Sequence, residues 1–142
     1  MIHAIRIYVV FGLVLCMGIA CNTTLYTPDN LPERQLHFGS GGGFAGTSTE
    51  YLLLDNGQLF RNEGKGYTSL ESARPGAARR VFKAFYKMNL DTLDYNQPGN
   101  LYYFIKMQDR GTTYEITWGG FQDAPSKALE VYYQSLNQIV NP

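Results

Sequence analysis

The chain has 142 residues, which is enough for one globular domain of ordinary size but not for several. Its 12 basic and 12 acidic side chains balance, which argues against a generic nucleic-acid binder, because such a protein needs a basic excess. Apolar residues make up 44% of the chain and aromatic residues 14%, so the chain can bury enough apolar surface to fold rather than remain disordered.

The first twenty residues have the pattern of an export signal. Arg6 precedes an uncharged, mostly apolar run over residues 7–20, and a basic start followed by such a run and by small residues is typical of a secretory signal. Fourteen helical residues reach only about 21 Å, which is shorter than the hydrocarbon core of a bilayer at about 30 Å. The sequence therefore predicts a signal peptide over residues 1–20 in preference to a spanning helix.

The end of this signal resembles the lipobox of bacterial lipoproteins, in which a cysteine is acylated and becomes the mature N-terminus. Residues 18–21 read Gly-Ile-Ala-Cys, and Gly18 departs from the pattern because an aliphatic residue is usual there. Cys16 fits less well, since Leu15 would occupy the small-residue position. The resemblance implies acyl chains such as palmitate on Cys21, and a bacterial cell-envelope location facing the periplasm or the exterior. Simple secretion and an uncleaved anchor are the alternatives.

Removal of residues 1–20 would limit the chemistry of the mature chain. Cys21 would be its only cysteine and His37 its only histidine. A lone cysteine that carries lipid excludes a disulfide framework, thiol catalysis and cysteine-rich metal sites. We expect no cofactor and no metal site.

Residues 21–34 contain two prolines and no apolar period, which predicts a flexible tether. Residues 35–142 are predicted to form a single α+β domain, an antiparallel sheet of about five strands with two amphipathic helices packed on one face, in the order β-β-β-α-β-β-α. Asn56-Gly57 predicts a tight hairpin turn. We expect helices from about Pro75 and Pro125, and a loop over residues 90–100.

A glycine-rich segment lies between the first two predicted strands. Gly41, Gly43 and Gly46 have the spacing of a dinucleotide fingerprint, but a strand follows them where that fingerprint needs a helix N-terminus. The segment is therefore interpreted as a structural loop with special backbone angles, or as a partner-binding loop. In the second interpretation Gly41, Gly42 and Gly43 present Phe44 at an exposed tip.

Aromatic residues supply a further candidate surface. The adjacent pairs Tyr102-Tyr103 and Tyr132-Tyr133 are expected to leave one ring of each pair outside the core. Together with Trp118, such rings favour recognition of a partner or a sugar. Trp118 is therefore included among the possible partner-binding residues.

Two further hypotheses are kept open. His37 with Ser40, Glu50 or Asp123 would give a small hydrolase, because histidine suits general-base chemistry near neutral pH. A protruding hairpin at Asp55–Gln58 would instead suit a protease-inhibitor-like module.

Three segments are similar to a set of small, uncharacterised bacterial lipoproteins. They are FGSGGGFAG at residues 38–46, TEYLLLDNGQLF at 49–60 and PGNLYYF at 98–104, with a late Trp118-Gly119. The resemblance implies a lipoprotein and supplies no catalytic residue. The leading hypothesis is a non-enzymatic, lipid-anchored binding module whose partners are the membrane and an envelope protein or glycan, with no nucleic acid.

Overall fold

The computed structural model describes residues 24–44, 46–120 and 123–141. The predicted signal peptide and Cys21 lie outside the described residues. Within these ranges, no helix is both long enough and apolar enough to cross a membrane.

The described chain forms one sheet with two helices. The strands are β1 (Gln35–Gly42), β2 (Thr47–Leu54), β3 (Leu59–Asn62), β4 (Tyr67–Ser69), β5 (Tyr95–Gln97), β6 (Leu101–Asp109) and β7 (Thr112–Trp118), and the helices are α1 (Pro75–Lys87) and α2 (Lys127–Val140). A short 3-10 helix, Leu90–Thr92, follows α1. The order across the sheet is β4-β3-β2-β1-β6-β7-β5, and all pairs are antiparallel except β5 with β7.

The α+β class is confirmed, but the prediction of about five antiparallel strands is wrong. The sheet has seven strands and is mixed. β5 was missed because its three residues lie in the predicted loop and have no local apolar period; only pairing with Ile116–Trp118 orders them. β1 also continues through Gly39–Gly42, because β2 and β6 pair with it along its whole length.

Both helices pack on one face of the sheet, as predicted. Side chains alternate along each strand, and one set faces α1 and α2 to form the main core. Pro75 begins α1 and Ser126 caps α2 by accepting from the Leu129 amide, so local signals fix where the helices begin. The buried helical residues are Ala78, Val81, Phe82 and Phe85 of α1, and Leu129, Tyr132, Tyr133 and Leu136 of α2.

The aromatic prediction fails at two places. Tyr132 and Tyr133 are both buried, because successive helical residues diverge by about 100° and α2 touches two partners. The Tyr132 hydroxyl donates to the Val81 carbonyl at 3.0 Å, whereas that of Tyr133 donates to the Gly39 carbonyl at 2.9 Å. Trp118 is also fully buried and stacks on Tyr103 with ring centroids 5.8 Å apart, so its ring lies in the core and not on a binding surface.

Among the described residues no helix packs on the other face of the sheet, which we call the helix-free face, and this face carries a second, smaller cluster. Leu52, Leu54 and Phe60 are buried there beneath Tyr26 and Leu31. The described part of the predicted tether, residues 24–34, therefore lies against the sheet.

Candidate functional site

The glycine-rich end of the sheet is the first candidate site, and we define it as residues 41–44 and 46 with residues 98–101. Gly42 and Gly43 turn the chain with φ of 95° and 76°. The Gly43 amide donates to the Asn100 carbonyl at 2.7 Å, which ties the β1–β2 hairpin to the loop before β6. Neighbouring loops thus hold the tip of this hairpin in place.

Two of these glycines are required by close contacts. A Cβ on Gly42 would overlap the Asn100 carbonyl oxygen, and one on Gly41 would overlap the Tyr102 hydroxyl. Tyr102 consequently lies across Gly41, whereas Tyr103 points to the helix-covered face of the sheet. This pair of tyrosines does separate, as expected for neighbours on a strand.

The glycine-rich end exposes an apolar surface. Phe44 is fully exposed and Leu101 is 58% exposed. A Cβ on Gly43 would lie 3.2 Å from Leu101 Cδ2, so the two loops bring these side chains to the same end of the sheet. The sequence predicted Phe44 as a tip residue, but it gave no signal for Leu101, which the β1–β6 register places beside Gly42.

A small cavity of about 160 Å³ opens beside this surface. Five of the residues that line it bear hydroxyl groups, Ser40, Thr47, Thr49, Tyr102 and Tyr103, and the others are Gly41, Gly42 and Leu101. Among these described residues the only ionisable groups are tyrosines. Its chemistry therefore suits a neutral ligand with hydroxyl groups.

A hydrogen-bonded cluster around His37 on the helix-free face is the second candidate site. His37 Nδ1 lies 2.6 Å from Glu50 Oε1, and the Tyr67 hydroxyl donates to the same oxygen at 2.9 Å. His37 Nε2 lies 3.0 Å from Gln35 Oε1, and the Gln35 amide nitrogen donates to the Pro32 carbonyl. Both ring nitrogens thus lie within hydrogen-bond distance of side-chain oxygens.

Only part of the predicted hydrolase constellation comes together here. Glu50 meets His37 diagonally across the β1–β2 pair, because Gly39, its direct partner, has no side chain to intervene. Ser40 lies on the opposite face of β1, and Asp123 folds back on Gly120 beyond β7. His37 is only 8% exposed, and its ring lies against Glu50, Gln35 and Tyr67 rather than Ser40 or Asp123.

Burial and hydrogen bonding set the charges of this cluster. The hydrogen bond with His37 lowers the pKa of Glu50 most; burial opposes this effect, and the hydrogen bond from Tyr67 adds to it. Burial raises the pKa of Tyr67, as does the hydrogen bond to Glu50. Glu50 is thus held as a carboxylate and Tyr67 as a neutral donor, which fits a structural role.

The Asp55–Gln58 turn, the third predicted site, is not a protruding loop. Gly57 is buried, and the side chains of Asn56 and Gln58 bond to the backbone of residues 24–26. Among the described residues, no three His, Cys, Asp or Glu side chains are grouped so as to hold a metal ion.

No protein-family model matches the chain, and no curated protein matches it significantly. The resemblance to small bacterial lipoproteins therefore stays a prediction.

The contacts of Gly42 predict a stability difference between two glycines of the same hairpin. Gly42→Ala combines positive φ with overlap on the Asn100 carbonyl, and we expect it to lower the free energy of unfolding by about 2–3 kcal/mol. Gly46→Ala meets open space and should cost only about 1 kcal/mol. Urea unfolding measures both values, and equal losses would contradict the packing of Gly42 on Asn100.

The Glu50 carboxylate predicts a pH-dependent contribution to stability. Since folding lowers the pKa of Glu50, its contribution is complete above its ordinary value of about 4.5 and is lost as pH falls through the folded value. We expect Glu50→Gln to lower the free energy of unfolding by about 1–2 kcal/mol at neutral pH. The difference in free energy of unfolding between wild type and Glu50→Gln should disappear in acid. Urea unfolding from pH 7 to pH 3 measures this difference. A gap that is the same at every pH would mean that the charge of Glu50 is not what stabilises the cluster.

Proposed function

We propose that this protein is a lipid-anchored protein of the bacterial cell envelope, and that its domain is a non-enzymatic binding module. The anchor is proposed from the lipobox-like residues 18–21. The binding surface is proposed to be the glycine-rich end, and its partner an envelope protein.

The exposure of Phe44 is the observation that supports this binding role. A phenylalanine at the tip of a hairpin contributes little to the core and exposes its whole ring to water. The Gly43–Asn100 hydrogen bond fixes the tip, so Phe44 would lose little freedom when a partner covers it. Leu101 enlarges the apolar surface, and a fixed aromatic anchor is the usual centre of a protein interface.

A neutral glycan is the second candidate partner, and the cavity of about 160 Å³ favours it. Its hydroxyl-bearing walls match the hydrogen-bonding groups of a sugar ring, and the volume is of the order of one such ring. The two partners differ in the residues that they need. A protein would depend on Phe44, whereas a sugar would depend on Thr49.

The alternatives are supported less well by the geometry. Hydrolysis by His37 is supported less well because the ring bonds to Glu50 and Gln35, and the Tyr67 hydroxyl beside it donates to Glu50. Inhibition by Asp55–Gln58 would need a loop that is free to enter a protease, whereas the Asn56 and Gln58 side chains hold residues 24–26.

The anchor predicts a specific chemical modification. We expect mass spectrometry of the native N-terminal peptide to find Cys21 as the first residue, carrying diacylglycerol and a further acyl chain. Cys21→Ser should remain unprocessed and should carry no acyl chain, because serine offers no thiol for the lipid. Cys16→Ser is the matched control and should behave as wild type. A native chain that begins at Met1 would contradict the anchor.

The binding surface predicts a large effect of one exposed side chain. Phe44→Ser should weaken capture of the partner from solubilised envelopes by about 30-fold, as expected for loss of about 2 kcal/mol at a hot spot. The melting temperature should barely change, because Phe44 packs on nothing. Val131→Ser removes another exposed apolar side chain, on α2, and should leave capture unchanged. Equal capture by wild type and Phe44→Ser would exclude the tip, and loss only in Thr49→Val would favour the glycan.

A further inference from the structure

The hairpin turn Asn56–Gln58 binds the segment that connects the domain to Cys21. The Gln58 side-chain amide pairs with the Tyr26 peptide in both directions: its Oε1 accepts from the Tyr26 amide at 2.8 Å, and its Nε2 donates to the Tyr26 carbonyl at 3.0 Å. Asn56 Nδ2 donates to the Thr24 carbonyl at 2.8 Å. We call these three bonds the amide clamp.

The amide clamp is itself held rigid. Asn56 Nδ2 also donates to the side-chain Oε1 of Gln58, and Asn56 Oδ1 accepts from the backbone N–H of Gln58. The two residues therefore orient each other. Gly57 between them is buried, and its carbonyl accepts from the Ala73 amide just before α1. The clamp therefore belongs to the folded domain rather than to a loose turn.

Apolar contacts hold the same segment further along. Tyr26 and Leu31 pack over the buried Leu52, Leu54 and Phe60 on the helix-free face of the sheet. Residues 24–31 are thus fixed by hydrogen bonds at one end and by apolar burial along their length.

We propose that the Asn56–Gln58 turn is the membrane-facing end of the domain, with Leu25 in contact with the lipid bilayer. This inference rests on the proposed lipid anchor at Cys21. Only two residues separate Cys21 from Thr24, and the three Cα–Cα steps between them span at most about 11 Å in any conformation. Because the clamp fixes Thr24 on the turn, this end of the sheet stays close to the acylated Cys21.

The exposure of Leu25 is a second, independent observation that points to lipid. Its side chain is 78% exposed, although both of its neighbours in the chain are bonded to the clamp. An apolar side chain fixed four residues from a lipid attachment point would gain free energy by entering the bilayer interface.

The same geometry places the glycine-rich end of the sheet far from the membrane. β1 starts at the clamp end of the sheet and spans eight residues, or about 26 Å, before it reaches the hairpin that carries Phe44. The two exposed apolar sites, Leu25 and Phe44, therefore lie at opposite ends of the sheet. One faces lipid, and the other faces a partner in the envelope space.

Two tryptophan reporters test this orientation. Trp118 is the only tryptophan and is buried, so wild-type protein supplies a constant background for the L25W and F44W variants. The native lipidated protein is reconstituted into phosphatidylcholine vesicles whose lipids carry a spin label near the headgroup. We expect quenching of L25W by about twofold, since the interface lies within about 5–10 Å of its ring, and almost no quenching of F44W. Equal quenching of the two variants, or no quenching of L25W, would overturn the orientation.

A variant without the amide clamp tests whether the clamp sets this orientation. Thr112 is exposed at the clamp end of β7, so energy transfer from T112W to fluorescent headgroups should exceed that from F44W. N56A/Q58A removes the clamp and should reduce the difference in energy transfer between T112W and F44W. Asn62→Ala disrupts a comparable side-chain cap, at the β3–β4 turn, and should preserve it. A full difference in N56A/Q58A would show that the amides do not set the orientation.

A second experiment distinguishes a wrong proposal of the lipid anchor from a wrong proposal of the orientation. A chain that begins at Cys21 is coupled through its single thiol to a maleimide lipid, and melting curves check that it folds. If the native protein carries no acyl chain, the proposed anchor fails, while the coupled protein still decides whether the clamp end faces lipid. If the native protein is acylated and L25W is not quenched, the orientation alone fails.

Discussion

The pairing of β1 on both sides is the constraint on which the rest of the structure depends. Each of its eight residues lies opposite one residue of β2 and one of β6. This double register decides which side chains share a face: Leu36 and Phe38 face the helices, whereas His37 faces the other side. A shift by one residue would move Phe38 out of the core and separate His37 from Glu50. The core, the polar cluster and the glycine-rich end all follow from one register.

Local patterns predicted the parts of the fold whose cause is local. The apolar arcs of α1 and α2, the proline at the start of α1 and the Asn56-Gly57 turn were all visible in the sequence, because period, capping and turn chemistry involve near neighbours. β5 was not visible, since its three residues become a strand only by pairing with β7, which lies about twenty residues later. Gly39–Gly42 likewise has poor strand propensity and is held by the strands on either side.

Only part of the candidate site was predicted, because only part of it depends on residues that are near neighbours in the chain. Phe44 was expected at a tip because a glycine-rich turn between strands must be exposed, and it is. Trp118 was expected at a surface, yet the sheet places it beneath Tyr103 and Tyr133, which no spacing in the sequence indicates. The His37 cluster required Gln35, Glu50 and Tyr67 from three strands, so only the register brings its members together. Glu50 was named in advance, but Gln35, which lies 3.0 Å from the second ring nitrogen, was not.

Exposed apolar side chains at opposite ends of one rigid sheet make the proposed anchor and the proposed binding surface a single design. If residues 21–34 were a free tether, lipid on Cys21 would let the domain tumble, and Phe44 would meet the bilayer as readily as a partner. The Gln58 side-chain amide holds the Tyr26 backbone through two hydrogen bonds. In the proposed arrangement, two short polar side chains in a hairpin turn would convert a lipid attachment into a fixed direction. An apolar tip near a membrane needs such a direction, since lipid would otherwise compete for Phe44 with its partner.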